Sequence, residues 1–423
     1  MIETSAQPAT RALPPLLALN FFMADMQAGI GPFLGVFLLA HGWASGAIGT
    51  VMTLGGVAGV LVTTPAGAII DATRRKRLYV VVPGICTVLA SGIVLLTQNA
   101  VLVTLSQVGT AIAGAAIGPA VAGITLGIVH QAGFNRQNGR NQAFNHAGNV
   151  AGAALSGLAG WQFGLKAVFW LAALFAVLSI VSVLMIPTDA IDHGAARGVR
   201  RDGDKEQVSG FGVLLASRPL LILAAALAFF HLGNGAMLPL YGLAVVAAKE
   251  GDPAGFVAVT IVVAQTVMIA ASLVAMRMAE TRGYWLVLLI SFVSLPIRGV
   301  VAAHMMNRWG VYPVQILDGI GAGLQSVAVP GLVARVLDGT GRINVGQGAV
   351  MTVQGLGASL SPAIGGWIAQ EIGYSAMFLI LGSFALASVA LWLGFASMLK
   401  PACDRPRDTD APSPIAAVAA RAS

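Results

Sequence analysis

Stretches of about 20 apolar residues recur from one end of this 423-residue chain to the other. A helix of that length is what crossing the hydrocarbon core of a bilayer requires. Twelve such runs are predicted, at 14–40, 46–70, 78–97, 100–129, 143–163, 167–187, 218–247, 255–279, 284–304, 311–337, 346–370 and 374–399. Backbone groups in lipid must be satisfied within their own segment, so helices are expected. The runs are too long, and lack the alternation, for barrel strands. With 57% hydrophobic and only 10% charged residues, the chain has too little polar surface for an ordinary cytosolic enzyme, a disordered segment or a secreted disulfide scaffold. Its 52 glycines suit closely packed membrane helices. Cys86 falls in an apolar run and Cys403 in the polar tail, so neither a disulfide framework nor a metal cluster is expected, and no cofactor.

The formal charge of +7 is explained by topology. With the N-terminus placed in the cytoplasm, all but four of the 24 Lys and Arg residues fall in inner loops and tails; Lys166, Lys249 and Arg308 fall outside, and Arg298 lies within a span. That is the positive-inside pattern, with both termini cytoplasmic. The basic residues form no compact patch, which argues against nucleic acid. The first apolar run is long and lacks a basic leader, so it reads as a retained helix.

A polar stretch at 188–217 divides the runs six and six. The expected organisation is a six-helix bundle over 1–187, a cytoplasmic linker at 188–217, a second bundle over 218–400 and a cytoplasmic tail at 401–423. The halves echo each other. GRNQAFNHAGN, AGAALSGLAGW and VFW in the first correspond to GRINVGQGAVM, LGASLSPAIGGW and MFL in the second. FFMADMQAGIGPFL at Phe21 corresponds to FFHLGNGAMLPLYG at Phe229. Repeated halves of this kind place a substrate site between them, near the bilayer midplane.

Between the second and third runs stands Gly67-Ala-Ile-Ile-Asp71-Ala-Thr-Arg74-Arg75-Lys76-Arg77. Gly, then Asp four residues on, then a basic pair, resembles the loop signature of the major facilitator superfamily. Length, span number and central linker extend the resemblance over nearly the whole chain. It implies an all-α polytopic membrane protein, twelve transmembrane helices in two pseudo-symmetric bundles. It also implies that Gly67, Asp71, Arg75 and Lys76 form a cytoplasmic gate latch. Gly67 is expected to admit close helix packing, and Asp71 to pair with a base or meet a helix N-terminus. The sequence departs from the family pattern at Arg74, where Gly is usual, and at Ala72, where Arg is usual.

Ionisable groups inside spans are costly and therefore mark candidate sites. Asp25 lies in the first span beside Gln27, and His231 and Asn234 occupy the corresponding helix of the second half. Asn145 and Asn149, with His146, open the fifth span; their four-residue spacing puts the two Asn on one helical face, for lining the pathway or bridging to a neighbour. Arg298 and Asp318 lie at similar depth on antiparallel neighbours, and an ion pair is expected there. The reading favours a structural clamp over contact with an anionic substrate. The pairs Gly55/Gly59, Gly114/Gly118 and Gly148/Gly152 are read as helix-packing contacts.

The chain contains no HExxH, GxSxG or CxxC motif, so an enzyme is not expected. The expected function is secondary transport by alternating access. The first reading is proton-coupled export of small, partly apolar compounds across the plasma (inner) membrane by a monomer, with Asp25 or the membrane histidines carrying the proton. The alternative is proton-coupled uptake of a small organic anion, with Arg298 as its charge partner, or of another metabolite; a membrane-embedded enzyme or receptor is the less favoured class. The Arg in helix four and the Gly-Pro in helix five that drug–proton antiporters of the superfamily usually carry are missing.

Overall fold

A computed structural model describes residues 6–24, 30–193, 217–248, 252–337 and 343–403. Among the described residues the secondary structure is helical, without strands. In the first half the helices are α1 (Ala6–Ala24), α2 (Ile30–Ala40), α3 (Ser45–Ala72), α4 (Leu78–Leu96), α5 (Ala100–Gly114), α6 (Ile117–Phe163) and α7 (Lys166–Leu184). The second half contains α8 (Arg218–Asn234), α9 (Met237–Ala247), α10 (Pro253–Arg282), α11 (Tyr284–His304), α12 (Val311–Val336), α13 (Ile343–Ile372), α14 (Tyr374–Gly394) and α15 (Ala396–Cys403).

Local chemistry sets the ends of these helices. Asn99 caps α5, its Oδ1 accepting from the amides of Val101 and Leu102 at 3.0 and 3.1 Å. Asp252 caps α10, accepting from Gly255 N at 2.6 Å, with Pro253 at the first helical position. The turns after α6 and α13 are made by Gly164 (φ +81°, ψ 167°) and Gly373 (φ +92°, ψ 164°). Their matching backbone angles, which suit glycine, extend the internal repeat to three-dimensional structure.

Two of the runs read as single helices are interrupted. The run 100–129 breaks at Ala115–Ala116, and the run 218–247 at Gly235–Ala236. Proline supplies the reason. Pro119 and Pro239 each stand third in the following helix, where the ring opposes the carbonyl four residues back, that of Ala115 or Gly235. The run 14–40 is described as α1 and α2, and residues 25–29 between them lie outside the described residues. Pro65, Pro83, Pro296, Pro330 and Pro362 remain inside continuous helices, so proline alone does not make the break; at both breaks it follows a pair of small residues, Ala115–Ala116 or Gly235–Ala236. Helix α6 joins the end of the fourth run to the fifth, and the chain bends at His130, with φ 54° and ψ −178°. A non-glycine residue there is strained by about 1–3 kcal/mol. His130→Gly is accordingly expected to raise the apparent melting temperature by a few degrees. An unchanged or lower value would show that the bend carries no strain.

Nine helical segments among the described residues are long and apolar enough to cross a membrane. The runs at 14–40, 143–163 and 346–370 are not among them. The latter two carry Asn, His, Gln, Ser and Gly, because they pack against other helices as well as meeting lipid. Outward-facing Leu61, Leu89, Leu105, Leu184 and Leu386 are exposed; in a bilayer such side chains meet acyl chains instead of water. Exposed Trp161, Trp170, Trp309 and Trp367 all lie at one end of the helices, as an interfacial aromatic belt does.

The halves meet at that same end. Helix α3 packs along α13, α6 against α10, and α2 against α9. Ser45 Oγ donates to Gly366 O at 3.0 Å, and Thr53 Oγ1 accepts from Ala363 N at 2.9 Å. Trp367 Nε1 donates to Thr50 Oγ1 at 3.1 Å. Glycine allows the approach: a Cβ on Gly49 would fall 2.7 Å from the carbonyl carbon of Pro362. Gly157 and Gly160 serve α6 in the same way, facing Ala258 and Ala254 of α10. A hydrophobic cluster that includes Phe33, Phe37, Phe169, Leu240, Tyr241 and Phe378 spans both halves here. A second cluster, with Leu16, Leu19, Ile70, Ile124 and Val183, stays within the first half.

Cys403 is not part of a solvated tail. Helix α15 folds back on the second half, burying Leu399 and Cys403 one turn apart. Arg335 Nη1 donates to Cys403 O at 2.8 Å, and the Lys400 ammonium lies 4.5 Å from the Trp285 ring centre.

Candidate functional site

Three helices of the second half carry a polar ladder. Ser291 and Arg298 on α11 are seven residues apart, as are Asp318 and Gln325 on α12, so each pair shares a face two turns apart. His231 and Asn234 close the ladder from α8. At one end the His231 ring nitrogen Nε2 lies 3.1 Å from Gln325 Oε1, and Gln325 Nε2 donates to Ser291 Oγ at 2.9 Å. At the other, Arg298 Nη1 donates to Asp318 Oδ1 at 2.7 Å and to Asn234 Oδ1 at 2.6 Å, and Nη2 reaches Gln315 Oε1 at 3.4 Å. The expected ion pair is therefore present. Arg298 is 1% exposed and Asp318 15%. Asn234 is the last residue of α8, so the guanidinium ties the Gly235–Ala236 break to α11 and α12.

The first half has two smaller networks. Asn145 Nδ2 donates to Asn20 O and Asn149 Nδ2 to Asn145 Oδ1, both at 3.4 Å; the two Asn share a face and bridge α6 to α1. His146 Nδ1 is buried without a partner among the described residues. Gln137 Nε2 donates to Asn141 Oδ1 at 3.0 Å, and Asn141 Nδ2 to Thr125 Oγ1 at 2.9 Å, fastening the two arms of α6 across the His130 bend. Asp25 and Gln27 lie outside the described residues.

In the loop after α3, Arg74 and Arg75 are exposed while Lys76 is buried. The Lys76 ammonium donates to Ile70 O at 2.6 Å, and Arg77 Nη1 to Ile186 O at 2.7 Å. Cations thus meet carbonyls at or just beyond the C-terminal ends of α3 and α7, where helix dipoles favour them. The side chain of Asp71 is outside the described set. Gly67 differs from expectation: a Cβ there would meet nothing within 4 Å, so among the described residues no helix packs on it. Gly114 and Gly118 likewise face open space, whereas Gly55 and Gly59 lie against the α5 backbone and Gly148 against Phe21 O.

Gly114 borders a cavity of about 650 Å³ lined mainly by α3, α4 and α5. Gly355, Ala358 and Ser359 of α13 form part of its wall. Among the described residues its lining contains no ionisable side chain; polar groups are supplied by Ser91, Gln107, Ser359 and three threonines. A second cavity of about 380 Å³ lies between α8, α12 and α13, with His231, Gln325, Ser326, Gln347 and Gln354 in its wall. Gln354 faces one cavity and Gly355 the other, so α13 is their shared wall. Arg298 and Asp318 line neither. The sequence reading, which searched for ionisable groups, passed over Gln107, Gln315 and Gln325. Neutral carboxamides in apolar runs were the signal that could have found them.

Interrupted helices, halves joined at one end and internal cavities define a polytopic membrane transporter. The family model of the Major Facilitator Superfamily matches residues 16–345, and the chain belongs to that superfamily. It is 39% identical over 390 residues to an uncharacterized MFS-type transporter of Mycobacterium tuberculosis H37Rv, covering 90% of this chain and 93% of the relative. A counterpart with the same figures occurs in strain CDC 1551. The fold is similar to that of the nucleoside transporter NupG (TM-score 0.71, 15% identity, 93% and 99% of the two chains). It is also similar to a POT peptide transporter solved with sulfate (TM-score 0.73, 11% identity, 95% and 99%). The protein is a transporter rather than an enzyme.

Proposed function

We propose that the protein is a proton-coupled exporter of small, partly apolar, uncharged compounds, working as a monomer in the plasma membrane. The carrying observation is the 650 Å³ cavity, whose wall lacks ionisable side chains among the described residues. An anion there would lose hydration without gaining a countercharge, whereas an apolar body is favoured. Arg298, the partner an organic anion would need, is already engaged by Asp318 and Asn234.

The positive-inside pattern puts the joined end of the halves outside and both termini in the cytoplasm. In this reading the bundles 1–187 and 218–400 rock about a site between them. Asp25 and His231 are the proton carriers of this reading; His231 lines the smaller cavity, where its ring nitrogen meets Gln325.

Deleting the gene should sensitise cells to neutral aromatic toxicants. In proteoliposomes, Asp25→Asn or His231→Gln should reduce uptake driven by a pH gradient at least ~10-fold while sparing downhill exchange. Gradient-driven uptake at the wild-type rate in both variants would remove them as proton carriers. Resistance, in place of sensitivity, would reverse the direction.

A further inference from the structure

The hydroxyls around the larger cavity are not equivalent. Thr63, Thr87, Thr110 and Ser359 each donate to the carbonyl four residues earlier in their own helix, at 2.8 to 3.0 Å. This back-bonding is the usual way for Ser and Thr to satisfy themselves inside an apolar helix. Ser91 does not do so. Its residue is only 4% exposed, it lines the cavity, and its Oγ has no hydrogen-bond partner among the described residues. A buried hydroxyl left unpaired is costly, and a native structure retains one for a reason. Gln107 stands on the same cavity from α5, held by a single long bond, Nε2 to Ser106 Oγ at 3.4 Å. Its carboxamide adds a second neutral polar group to the wall.

The rest of the cavity is hydrocarbon and backbone. Leu34, Met52, Val60, Pro83, Val94 and Phe169 contribute apolar surface, and Gly114 of α5 leaves space unfilled. Such a chamber favours a flat or rounded apolar body, and its polar wall groups, being neutral, favour an uncharged head.

We propose that Ser91 is a specificity-determining contact: its hydroxyl, shielded in this state, turns about the Cα–Cβ bond to hydrogen-bond the polar group of an uncharged ligand whose apolar body fills the cavity. The substrate class is thereby a neutral ring compound carrying a hydroxyl, carbonyl or amide, as opposed to a plain hydrocarbon or a carboxylate. This assignment rests on the export reading only in calling the ligand a substrate; the binding claim stands by itself.

The test uses the full chain in nanodiscs and three matched probes, 2-naphthol, 2-methylnaphthalene and 2-naphthoate, with empty nanodiscs correcting for partition into lipid. The wild type should bind 2-naphthol about 10-fold more tightly than 2-methylnaphthalene, the scale of one buried hydrogen bond, and should not take up 2-naphthoate. Ser91→Ala should bring the two neutral probes to within about 2-fold, and Ser91→Thr should restore the preference. Removing a costly unpaired hydroxyl is expected to leave the unliganded protein at least as stable as before, so a loss of folding in Ser91→Ala would itself overturn the unpaired state assigned to this group. Equal binding of the neutral probes by the wild type would overturn the proposal, as would a preference that survives in Ser91→Ala or binding of 2-naphthoate as tight as that of 2-naphthol. Flux of 2-naphthol in proteoliposomes separates the two readings. Ser91-dependent binding without flux leaves the site standing and removes the transport role.

Discussion

Gly49→Val is expected to abolish transport, lowering flux at least ~10-fold, and to hold the halves apart at the end where they now meet. The atoms a side chain would strike belong to backbone: the Pro362 carbonyl, with its carbon at 2.7 Å, and the Ala363 Cα at 3.3 Å. Neither can swing aside as a flexible side chain could. Packed interfaces resist gradual deformation, so the contact gives way as a unit and the population shifts to the opposite state. The check is chemical accessibility. Ser45 is buried against Gly366; Ser45→Cys, with Cys86 and Cys403 replaced by serine, should react with an impermeant maleimide faster when Gly49→Val is added. Unchanged labelling together with wild-type flux would mean that this contact is not the closure.

Arg298→Met should cost about 3–5 kcal/mol of stability, the penalty for stranding the partner of a buried ion pair. Asp318 would lose its countercharge in a site that is largely closed to solvent, and Asn234 would lose its donor beside the α8–α9 break. Asp318→Asn should be damaging for the converse reason. The double variant Arg298→Met/Asp318→Asn, with both charges gone, should be closer to wild type than either single one. Equilibrium unfolding in mixed micelles measures all three. Additive losses in the double variant would show that the pair contributes no coupling, and that the clamp is not electrostatic.

Most of the architecture could be read from residue order. Runs of apolar residues, loop charge and a Gly-Asp-basic signature state the fold because a bilayer leaves so few alternatives for a buried backbone. The Arg298–Asp318 contact was legible for the same reason: two opposite charges at one depth in hydrocarbon have strong cause to meet. The interruptions at Ala115 and Gly235 were not anticipated, although Pro119 and Pro239 were in plain view. Proline is tolerated within membrane helices, as Pro83 and Pro330 show, and its effect depends on the neighbouring residues. The larger cavity was hidden because it is made of what is missing. Gly114 and Gly118 look like packing residues in sequence and face empty space in the fold. Ser91 resembles the back-bonded Ser359 of the same cavity until its hydrogen bonds are counted.

Helix α13 presents Gln354 to the chamber that contains His231 and Gly355 to the chamber that contains Ser91. A partition between two rooms cannot shift without changing the size of both. If occupation of the Ser91 chamber moves this partition, it alters the proton affinity of His231 by some factor, and protonation of His231 must alter affinity for the occupant by that same factor. Energy exchange between cargo and ion would then require no contact between them, only one rigid rod whose position both of them bias.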